Sequence, residues 1–511
     1  MRSLFGKIFN KIFSRFTITL VFILIQLYYF FVLVFKLAYY AKWISIGFTV
    51  VAVILALFII WRDYNPAYKI GWILLICLLP IMGVPLYLLF GNKRPAKLLK
   101  RRIDPMEQIH LDDLKQEDDI RNIASPRLQR TCSYIAEKGP YPAWKNTRTK
   151  YYPVGDDMFE DMLKDLAKAE HFIFMEYFIF SRGWLWEKVF DILKEKAAAG
   201  LDVRIIYDDI GTMAKIPKHF EKLLKENNIK VMSFNKMRPI LSLVYNNRDH
   251  RKITVIDGYI GYTGGANIAD EYANKIVRFG HWKDSGVRMY GDAVWNLTVM
   301  FLNMWNSFVK TDVGYNIFKP HVWHPESFKT DGIVQPYSDT PLDDENLGEN
   351  VYLEILNQAE DYVFIYTPYL IIDNEMQTAL TLAAKRGVDV RLVTPGIPDK
   401  PLIYTLSRSY YEPLIKAGVR IYEYTPGFIH AKSFVSDDRI AVVGTINMDY
   451  RSLFLHFECG ALLIENSAIE DIRNDCIETF QRSYEITAKD RKRFFFGRLL
   501  AAILRVFGPV L

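Results

Sequence analysis

An internal duplication constrains this chain more than any other feature, because it requires two similar folding units. Four blocks between residues 169 and 286 return in the same order between residues 359 and 460, at offsets of 190, 187, 180 and 174. Insertions and deletions in loops produce small drifts of this kind. The paired blocks are 169–174 with 359–364, 200–205 with 387–392, 250–267 with 430–447, and 284–286 with 458–460.

Each half has the same predicted order of elements: a helix, an apolar strand, a second helix, a glycine turn and a buried strand. Alternating helices and apolar strands are typical of an α/β sandwich. The halves are too far apart in sequence to form one hairpin, so we expect two similar α/β domains that dock face to face. The strands are predicted at 172–180 and 203–207 in the first half, and at 362–369 and 390–393 in the second.

Both halves contain the same motif of histidine, lysine and aspartate. Histidine and lysine lie two residues apart, which on an extended segment points both side chains to one face. A single copy occurs easily by accident, whereas two copies with identical spacing inside a wider duplication indicate a shared function. The motif residues are His250, Lys252 and Asp257, followed by Asn267, and His430, Lys432 and Asp437, followed by Asn447.

These side chains suit exchange at a phosphodiester, which is anionic and repels nucleophiles. The lysine ammonium groups can neutralise the non-bridging oxygens, and the asparagine amides can donate further hydrogen bonds. One neutral imidazole can attack phosphorus and form a covalent intermediate. The second imidazole must protonate the leaving alkoxide and then deprotonate the incoming hydroxyl. We therefore predict one shared active site with one histidine from each half.

Each imidazole also needs an acceptor that fixes its tautomer. Asp284 lies 34 residues after the first motif histidine, and Glu458 lies 28 residues after the second. They occupy equivalent places in the duplication, and we expect each to serve the histidine of its own half. Asp257 and Asp437 belong to the candidate catalytic set by their place in the motif, although bracing of a loop is the favoured role for both.

The first ~90 residues are almost wholly apolar and divide into three segments, at about 16–37, 43–61 and 70–90. Each approaches the roughly 20 residues that a helix needs to cross the hydrocarbon core. Basic residues precede this region and follow it, and both clusters favour the cytoplasmic side, so the number of crossings must be even. Because Pro80 and Pro85 interrupt the third segment, we expect two crossings, with the catalytic part in the cytoplasm.

The net charge and the cysteine content indicate which binding partners and cofactors the chain is expected to have. The net charge is +6, and the basic clusters at the two ends fit an anionic membrane surface better than a nucleic-acid groove. The segment 486–511 mixes basic and aromatic residues, and we expect it to lie in the lipid interface, with packing on the protein core as the alternative. The four cysteines form no CxxC pair, and no nucleotide-binding loop is evident, so we expect neither a metal nor a cofactor.

The doubled motif resembles that of the phospholipase D superfamily, over about residues 145–485. The apolar N-terminal region, the stretch 447–452 and the basic aromatic C-terminus are similar to those of bacterial cardiolipin synthases. The resemblance implies two phospholipase D-like α/β sandwich domains preceded by N-terminal transmembrane helices. The expected divisions are a membrane region at 1–92, a charged connector at 93–145, domains at 146–325 and 326–485, and a membrane-associated segment at 486–511.

The resemblance also implies a reaction in which two phosphatidylglycerols give cardiolipin and glycerol through a phosphatidyl-histidine. By analogy His250 is the nucleophile and His430 the acid/base, although the residues alone do not order them. Gly265 stands where many relatives carry serine, while the second half keeps Thr445, and we expect a modest asymmetry between the half-sites.

The implied setting is a multi-pass protein of the bacterial cell membrane whose partners are phosphatidylglycerol and other anionic lipids, and not nucleic acid. The oligomeric state stays open. The alternatives are hydrolysis or transfer to another alcohol, a nuclease, and a catalytically inactive membrane scaffold. An inactive scaffold is disfavoured because both motifs are intact. A nuclease is disfavoured because a nucleic-acid substrate gives no reason for the apolar N-terminal region.

Overall fold

The structure is a computed structural model of the 511-residue chain. The parts that it describes are residues 15–40, 42–62, 65–91, 97–109, 111–115, 125–217, 219–236, 246–310, 314–487, 490, 504–506 and 508.

Among the residues described there, four helices form the N-terminal region. Asn65 caps the third helix by accepting a hydrogen bond from the backbone N–H of Ala67, and proline follows directly at the first helical position. The third apolar segment becomes two helices, because Pro80 lacks an N–H and starts a new helix. The helices span Arg15–Tyr40, Lys42–Trp61, Pro66–Leu78 and Pro80–Phe90.

Within the described residues, no helix combines the length and the apolar character needed to cross a membrane. The two crossings therefore stay a prediction.

The first half is built on a seven-stranded sheet in the order β1-β8-β6-β5-β2-β3-β4. Its β2, β3 and β4 run parallel, and β2 continues through β5, β6, β8 and β1 in antiparallel pairs. Every residue of β2 is buried, including Glu176, in a strand that is otherwise apolar or aromatic. The strands are β1 (Thr147–Tyr152), β2 (Phe172–Tyr177), β3 (Asp202–Asp208), β4 (Lys230–Phe234), β5 (Lys252–Ile256), β6 (Ile260–Gly264) and β8 (Gly286–Gly291), with β7 (His281–Lys283) outside this sheet.

The second half repeats this topology in an eight-stranded sheet, β19-β13-β12-β10-β15-β16-β18-β9. Its parallel β10, β12 and β13 correspond to β2, β3 and β4, and β9 takes the edge position that β1 has in the first sheet. The strands are β9 (Ile333–Asp339), β10 (Tyr362–Tyr366), β11 (Leu370–Ile371), β12 (Asp389–Pro395), β13 (Arg420–Tyr424), β14 (Gly427–Ile429), β15 (Ser433–Ser436), β16 (Ile440–Gly444), β17 (Met448–Asp449), β18 (Glu458–Ile464) and β19 (Ser483–Ile486).

Helices cover both sheets, and the duplicated α/β architecture expected from the sequence is present. In the first half they are Gly155–Lys168, Trp184–Ala198, Asp209–Thr212, Phe220–Glu226, Val294–Phe308 and Pro320–Trp323. In the second half they are Leu347–Gln358, Asn374–Lys385, Pro401–Ser409, Tyr411–Ala417, Tyr450–Phe454 and Ala468–Gln481. Two more, Lys97–Ile109 and Pro126–Lys138, lie in the charged connector, and single 3-10 turns occupy Leu111–Leu114, Asp270–Ala273 and Tyr315–Phe318.

The helix Val294–Phe308 is buried from Val294 to Trp305. Its sequence is apolar on all sides, which is the pattern of a helix enclosed by protein. Asn296 satisfies its buried amide by donating to the carbonyls of Pro142 and Pro336, at 2.9 and 2.8 Å. This helix therefore ties the first sheet to the edge strand of the second.

Two short parallel pairings join the halves and position the motif histidines. β7 pairs with β14, and Lys283 lies opposite Ile429. The residues that directly follow these two strands, Asp284 and His430, are therefore neighbours. An isolated parallel bridge joins Asp249 to Phe457, just before His250 and Glu458.

Of the C-terminal segment, only 486–487, 490, 504–506 and 508 are described. Arg505 lies 4.2 Å from the ring centre of Tyr410 and donates to the Ser409 hydroxyl at 2.9 Å. The described part therefore packs on the second domain, while most of the basic aromatic stretch expected in the lipid interface lies outside the described residues.

Candidate active site

His250 is held by residues of the opposite half. Its backbone N–H donates to the carbonyl of Phe457 at 2.9 Å. Its imidazole Nδ1 lies 2.9 Å from both carboxylate oxygens of Glu458, which is fully buried. With the proton on Nδ1 donated to this carboxylate, Nε2 keeps its lone pair.

His430 is held in the same way by the first half. Its backbone N–H donates to the carbonyl of Lys283 at 2.7 Å. Its Nδ1 lies 2.7 Å from the Oδ2 atom of Asp284, which is also fully buried. The two half-sites are thus related by the same exchange of contacts, as a duplicated pair of domains would produce.

The expectation that each carboxylate serves the histidine of its own half is wrong in this structure. Asp284 and Glu458 do contact the motif histidines, but each contacts the histidine of the other half. The reason is the parallel pairing across the interface, which places the residue after β7 beside the residue after β14. Neither half has a complete histidine–carboxylate pair without its partner.

Burial lowers the pKa of both imidazoles, to about 3 for His250 and about 4 for His430. The charged form is disfavoured because water is removed, and the adjacent carboxylates only partly offset this loss. The net direction for Glu458 is a lowered pKa: burial raises it, but contact with His250 outweighs that. Both directions favour a neutral His250 beside an ionised Glu458 carboxylate.

The two motif lysines lie next to the histidines. Lys252 begins β5 and Lys432 directly precedes β15, and each ammonium donates to the carbonyl of the histidine two residues earlier. Burial lowers the pKa of Lys252 to about 8 and that of Lys432 to about 7. A bound anion stabilises the charged form of such lysines, because a phosphodiester offsets the free-energy cost of removing water from the ammonium group.

The asparagines follow β6 and β16 and line the same space. Asn267 accepts a hydrogen bond from the backbone N–H of Ile179 at 3.0 Å and donates to the Tyr272 hydroxyl at 2.9 Å. Asn447 donates to the Ser452 hydroxyl at 2.9 Å. Each amide nitrogen carries a second hydrogen, which is available to a phosphate oxygen.

Thr445 and Gly265 occupy equivalent positions in the two halves, but they differ in whether they can donate a hydrogen bond to the neighbouring carboxylate, Glu458 or Asp284. The Thr445 hydroxyl donates to Glu458. Gly265 offers no hydroxyl, and the Oδ1 atom of Asp284 is buried without a hydrogen-bond partner among the described residues. A Cβ atom at Gly265 would lie 2.0 Å from that oxygen. The asymmetry expected from the sequence thus has a structural basis in how the two carboxylates are held.

Asp257 and Asp437 do not reach the cavity. The Asp257 carboxylate accepts hydrogen bonds at 2.8–2.9 Å from the N–H groups of residues 170, 171 and 172, at the start of β2. Asp437 does the same for residues 360, 361 and 362, at the start of β10. Both adopt positive φ angles, 50° and 53°, and their contacts support the bracing role. Their inclusion among the candidate catalytic residues is therefore corrected.

A cavity of about 760 Å³ lies between the two halves and exposes both imidazoles. Its volume falls in the range of sites that enclose a ligand of some size. The remaining lining mixes aromatic, aliphatic and charged side chains from both domains. His250, His430, Asn267 and Asn447 all line it, so the structure brings these four predicted residues together in one cavity.

His456 also lines this cavity, and sequence reasoning missed it. Its ring centre lies 5.5 Å from that of His250, and its Nδ1 lies 3.5 Å from Glu458 Oε1. Among the described residues, these three side chains form the group that could hold a metal, with ligand atoms within 4.8 Å of one another. Its position two residues before Glu458 is the signal in the sequence, but His456 lies outside the duplicated blocks.

Comparisons with known proteins agree with this arrangement. The family model "Cardiolipin synthase, PLD-like domain" matches residues 162–277 and 352–482, one stretch in each half. The model "Phospholipase D-nuclease N-terminal" matches residues 50–92. A cardiolipin synthase of Alkalihalophilus pseudofirmus is 32% identical over 478 residues, covering 92% of this chain and 94% of that protein. The chain belongs to the cardiolipin synthase family of the phospholipase D superfamily.

Further relatives support this assignment. Cardiolipin synthase 1 of Bacillus anthracis is 34% identical over 482 residues, covering 91% of this chain and 92% of its own. The crystal structure of phosphatidylserine synthase from Haemophilus influenzae Rd KW20 is similar with a TM-score of 0.55 and 14% identity, over 75% of this chain and 100% of that one. At that identity the likeness shows the fold alone. The family expected from the motifs is confirmed, and the fold is that of duplicated phospholipase D-like domains.

Proposed function

We propose that this enzyme transfers a phosphatidyl group from one phosphatidylglycerol to a hydroxyl of a second, giving cardiolipin and glycerol. One observation carries the proposal: two imidazoles, each oriented by a carboxylate of the opposite half, line one cavity. Phosphodiester exchange needs a nucleophile and an acid/base in this relation.

In the first step, Nε2 of His250 attacks the phosphorus of the donor lipid. The bond from phosphorus to the headgroup glycerol breaks, and His430 gives its proton to the departing glycerol oxygen. Glu458 stabilises the positive charge that His250 acquires as the P–N bond forms. The product is a phosphatidyl-histidine and free glycerol.

In the second step, His430 removes a proton from the headgroup hydroxyl of the acceptor lipid. The resulting oxygen attacks phosphorus, the P–N bond to His250 breaks, and cardiolipin leaves with both enzyme groups restored. The step reverses the first with a different alcohol, so the same residues serve both.

Substrate charge explains how His430 starts in its protonated form. Burial lowers its pKa to about 4, so the proton must be acquired as the lipid binds. An anionic phosphodiester beside the imidazole favours the charged form, as it does for Lys252 and Lys432. The lysines then neutralise the non-bridging oxygens, and the asparagine amides complete their hydrogen bonding.

The N-terminal helices suit a chain whose substrate lies in a bilayer. Exposed apolar side chains cover them, with Leu57, Tyr28 and Trp61 exposed by 62%, 66% and 78%. Such an apolar surface is unfavourable in water and fits lipid tails. We propose that these helices anchor the enzyme in the cell membrane, with the catalytic domains on the cytoplasmic side.

The helix Pro66–Leu78 connects this region to the cavity. Tyr68 packs edge-on against Tyr450, with ring centres 6.3 Å apart, and Tyr450 lines the cavity. Asn65 donates to the Asp373 carboxylate at 2.7 Å. The cavity thus lies next to the helices proposed to contact lipid, which supports a route for phosphatidylglycerol from the bilayer.

Product analysis tests the proposal. The purified full chain is incubated with phosphatidylglycerol in lipid vesicles, and products are identified by mass spectrometry of the lipids. Cardiolipin and glycerol should appear in equal amounts. Phosphatidic acid without cardiolipin would contradict the proposal and indicate hydrolysis, and a product appearing only after another alcohol is added would indicate a different acceptor.

A further inference from the structure

Besides the two histidines, the cavity contains a basic region. Lys215, Arg278 and Lys400 line it together with two carboxylates, Glu271 and Asp399. Arg278 pairs with Glu271 at 3.0 Å, and Lys400 lies 3.7 Å from Asp399. The Lys215 ammonium has no ion pair or hydrogen bond with any residue that the structure describes.

Lys215 is placed by its backbone, not by a side-chain partner. Its backbone N–H donates to the carbonyl of Thr212 at 2.9 Å, and its own carbonyl accepts from the N–H of Arg182 at 3.1 Å. The side chain is half-buried. Burial lowers the pKa of Lys215; Glu271 opposes this, while Arg278 and Lys400 add to it. A partly desolvated cation beside two others is stabilised by an anion.

The Arg278–Glu271 pair of this region lies on the His430 side of the cavity. Glu271 directly precedes Tyr272, whose ring centre is 5.3 Å from that of His430. In the proposed reaction His430 deprotonates the acceptor hydroxyl, so the acceptor headgroup enters on this side. A phosphatidylglycerol acceptor carries its own phosphodiester at the other end of its glycerol, and that charge requires a site of its own.

We propose that Lys215, Arg278 and Lys400 form a second anion subsite that binds the phosphodiester of the acceptor lipid. The inference rests on the proposed function and deepens it. The donor phosphate occupies the histidine–lysine centre, and the acceptor phosphate occupies this subsite. Recognition of a second anionic phosphodiester is what separates a lipid acceptor from water or a neutral alcohol.

A competition between two acceptors tests the subsite. The full chain is given labelled phosphatidylglycerol as donor, with unlabelled phosphatidylglycerol and monooleoylglycerol as competing acceptors. Both acceptors present a glycerol hydroxyl on a lipid, but only the first has a phosphate. The ratio of cardiolipin to phosphatidyl-monooleoylglycerol reports acceptor choice after the shared phosphatidyl-enzyme has formed.

We expect Lys215→Gln to lower this ratio about tenfold, since one charge-assisted contact is lost. Lys215→Arg should restore it, and Lys400→Gln, at an exposed position that tolerates change, should lower it in the same direction. Lys194→Gln, on the exposed face of the helix Trp184–Ala198, is the matched control and should keep the wild-type ratio.

An unchanged ratio in both Lys215→Gln and Lys400→Gln would overturn the inference, as would an equal loss of both products. Failure of the proposed function has a different signature, because the wild-type chain would then form no cardiolipin at all.

Discussion

Replacing Glu458 by glutamine tests the pairing of each histidine with the opposite half. The carboxylate is fully buried, and both its oxygens lie 2.9 Å from His250 Nδ1. Glutamine keeps the shape but removes the charge. It can also donate to Nδ1, which shifts the proton to Nε2 and removes the nucleophilic lone pair. Loss of a charged hydrogen bond, about 1.5–3 kcal/mol, corresponds to a roughly 10- to 150-fold slower attack.

The assay separates attack by His250 from protonation of the leaving group. A phosphatidyl p-nitrophenyl ester releases a phenolate that needs no proton, so the burst of nitrophenolate measures attack alone. Glu458→Gln should reduce the burst rate by the factor above. Asp284→Asn should keep the burst and slow the later turnover, because Asp284 orients His430. His430→Asn, which retains the nucleophile, should behave like Asp284→Asn.

The reverse pattern would refute the reasoning. If Asp284→Asn abolished the burst while Glu458→Gln and His430→Asn kept it, the carboxylate of the same half would be orienting the nucleophile.

Three further outcomes follow from the same geometry. Because burial lowers the pKa of Lys432 to about 7 and that of Lys252 to about 8, the ammonium forms are lost as pH rises through these values, and kcat/KM should fall there; a profile that stays flat into the range of unperturbed lysine would contradict this. Asp257→Ala removes the acceptor of three backbone N–H groups and should lower the free energy of unfolding in urea by about 2–3 kcal/mol, whereas exposed Asp191→Ala should not. Gly265→Ala places a Cβ atom 2.0 Å from Asp284 Oδ1 and should lower kcat by at least about tenfold, unlike Gly314→Ala, where nothing lies within 4 Å of the added atom.

The sequence predicted the duplicated α/β architecture and the motif residues because these depend on local patterns. A mostly apolar run such as β2 can be recognised as a strand from its sequence. The two motifs can be recognised because their residues have the same spacing. The predicted strand at 203–207 lies within β3, Asp202–Asp208. The strand at 172–180 was predicted too long, since β2 ends at Tyr177 and the chain then turns toward the cavity.

The exchange of carboxylates between the halves could not be predicted in this way. It depends on the parallel register between β7 and β14, two strands of three residues each that are far apart in sequence. Such short strands carry no periodic signal. The same limit hid His456 and Lys215, which reach the cavity only through tertiary packing.

The central claim is that one imidazole from each half acts on a single lipid phosphorus. Rapid mixing of the His430→Ala chain with the p-nitrophenyl donor, followed by an alkaline quench and peptide mass spectrometry, tests it most directly. We predict one phosphatidyl group per chain, attached to His250, that persists because the base needed to resolve it is missing. A label on any other residue would contradict the account, and so would formation of cardiolipin by this variant at the wild-type rate.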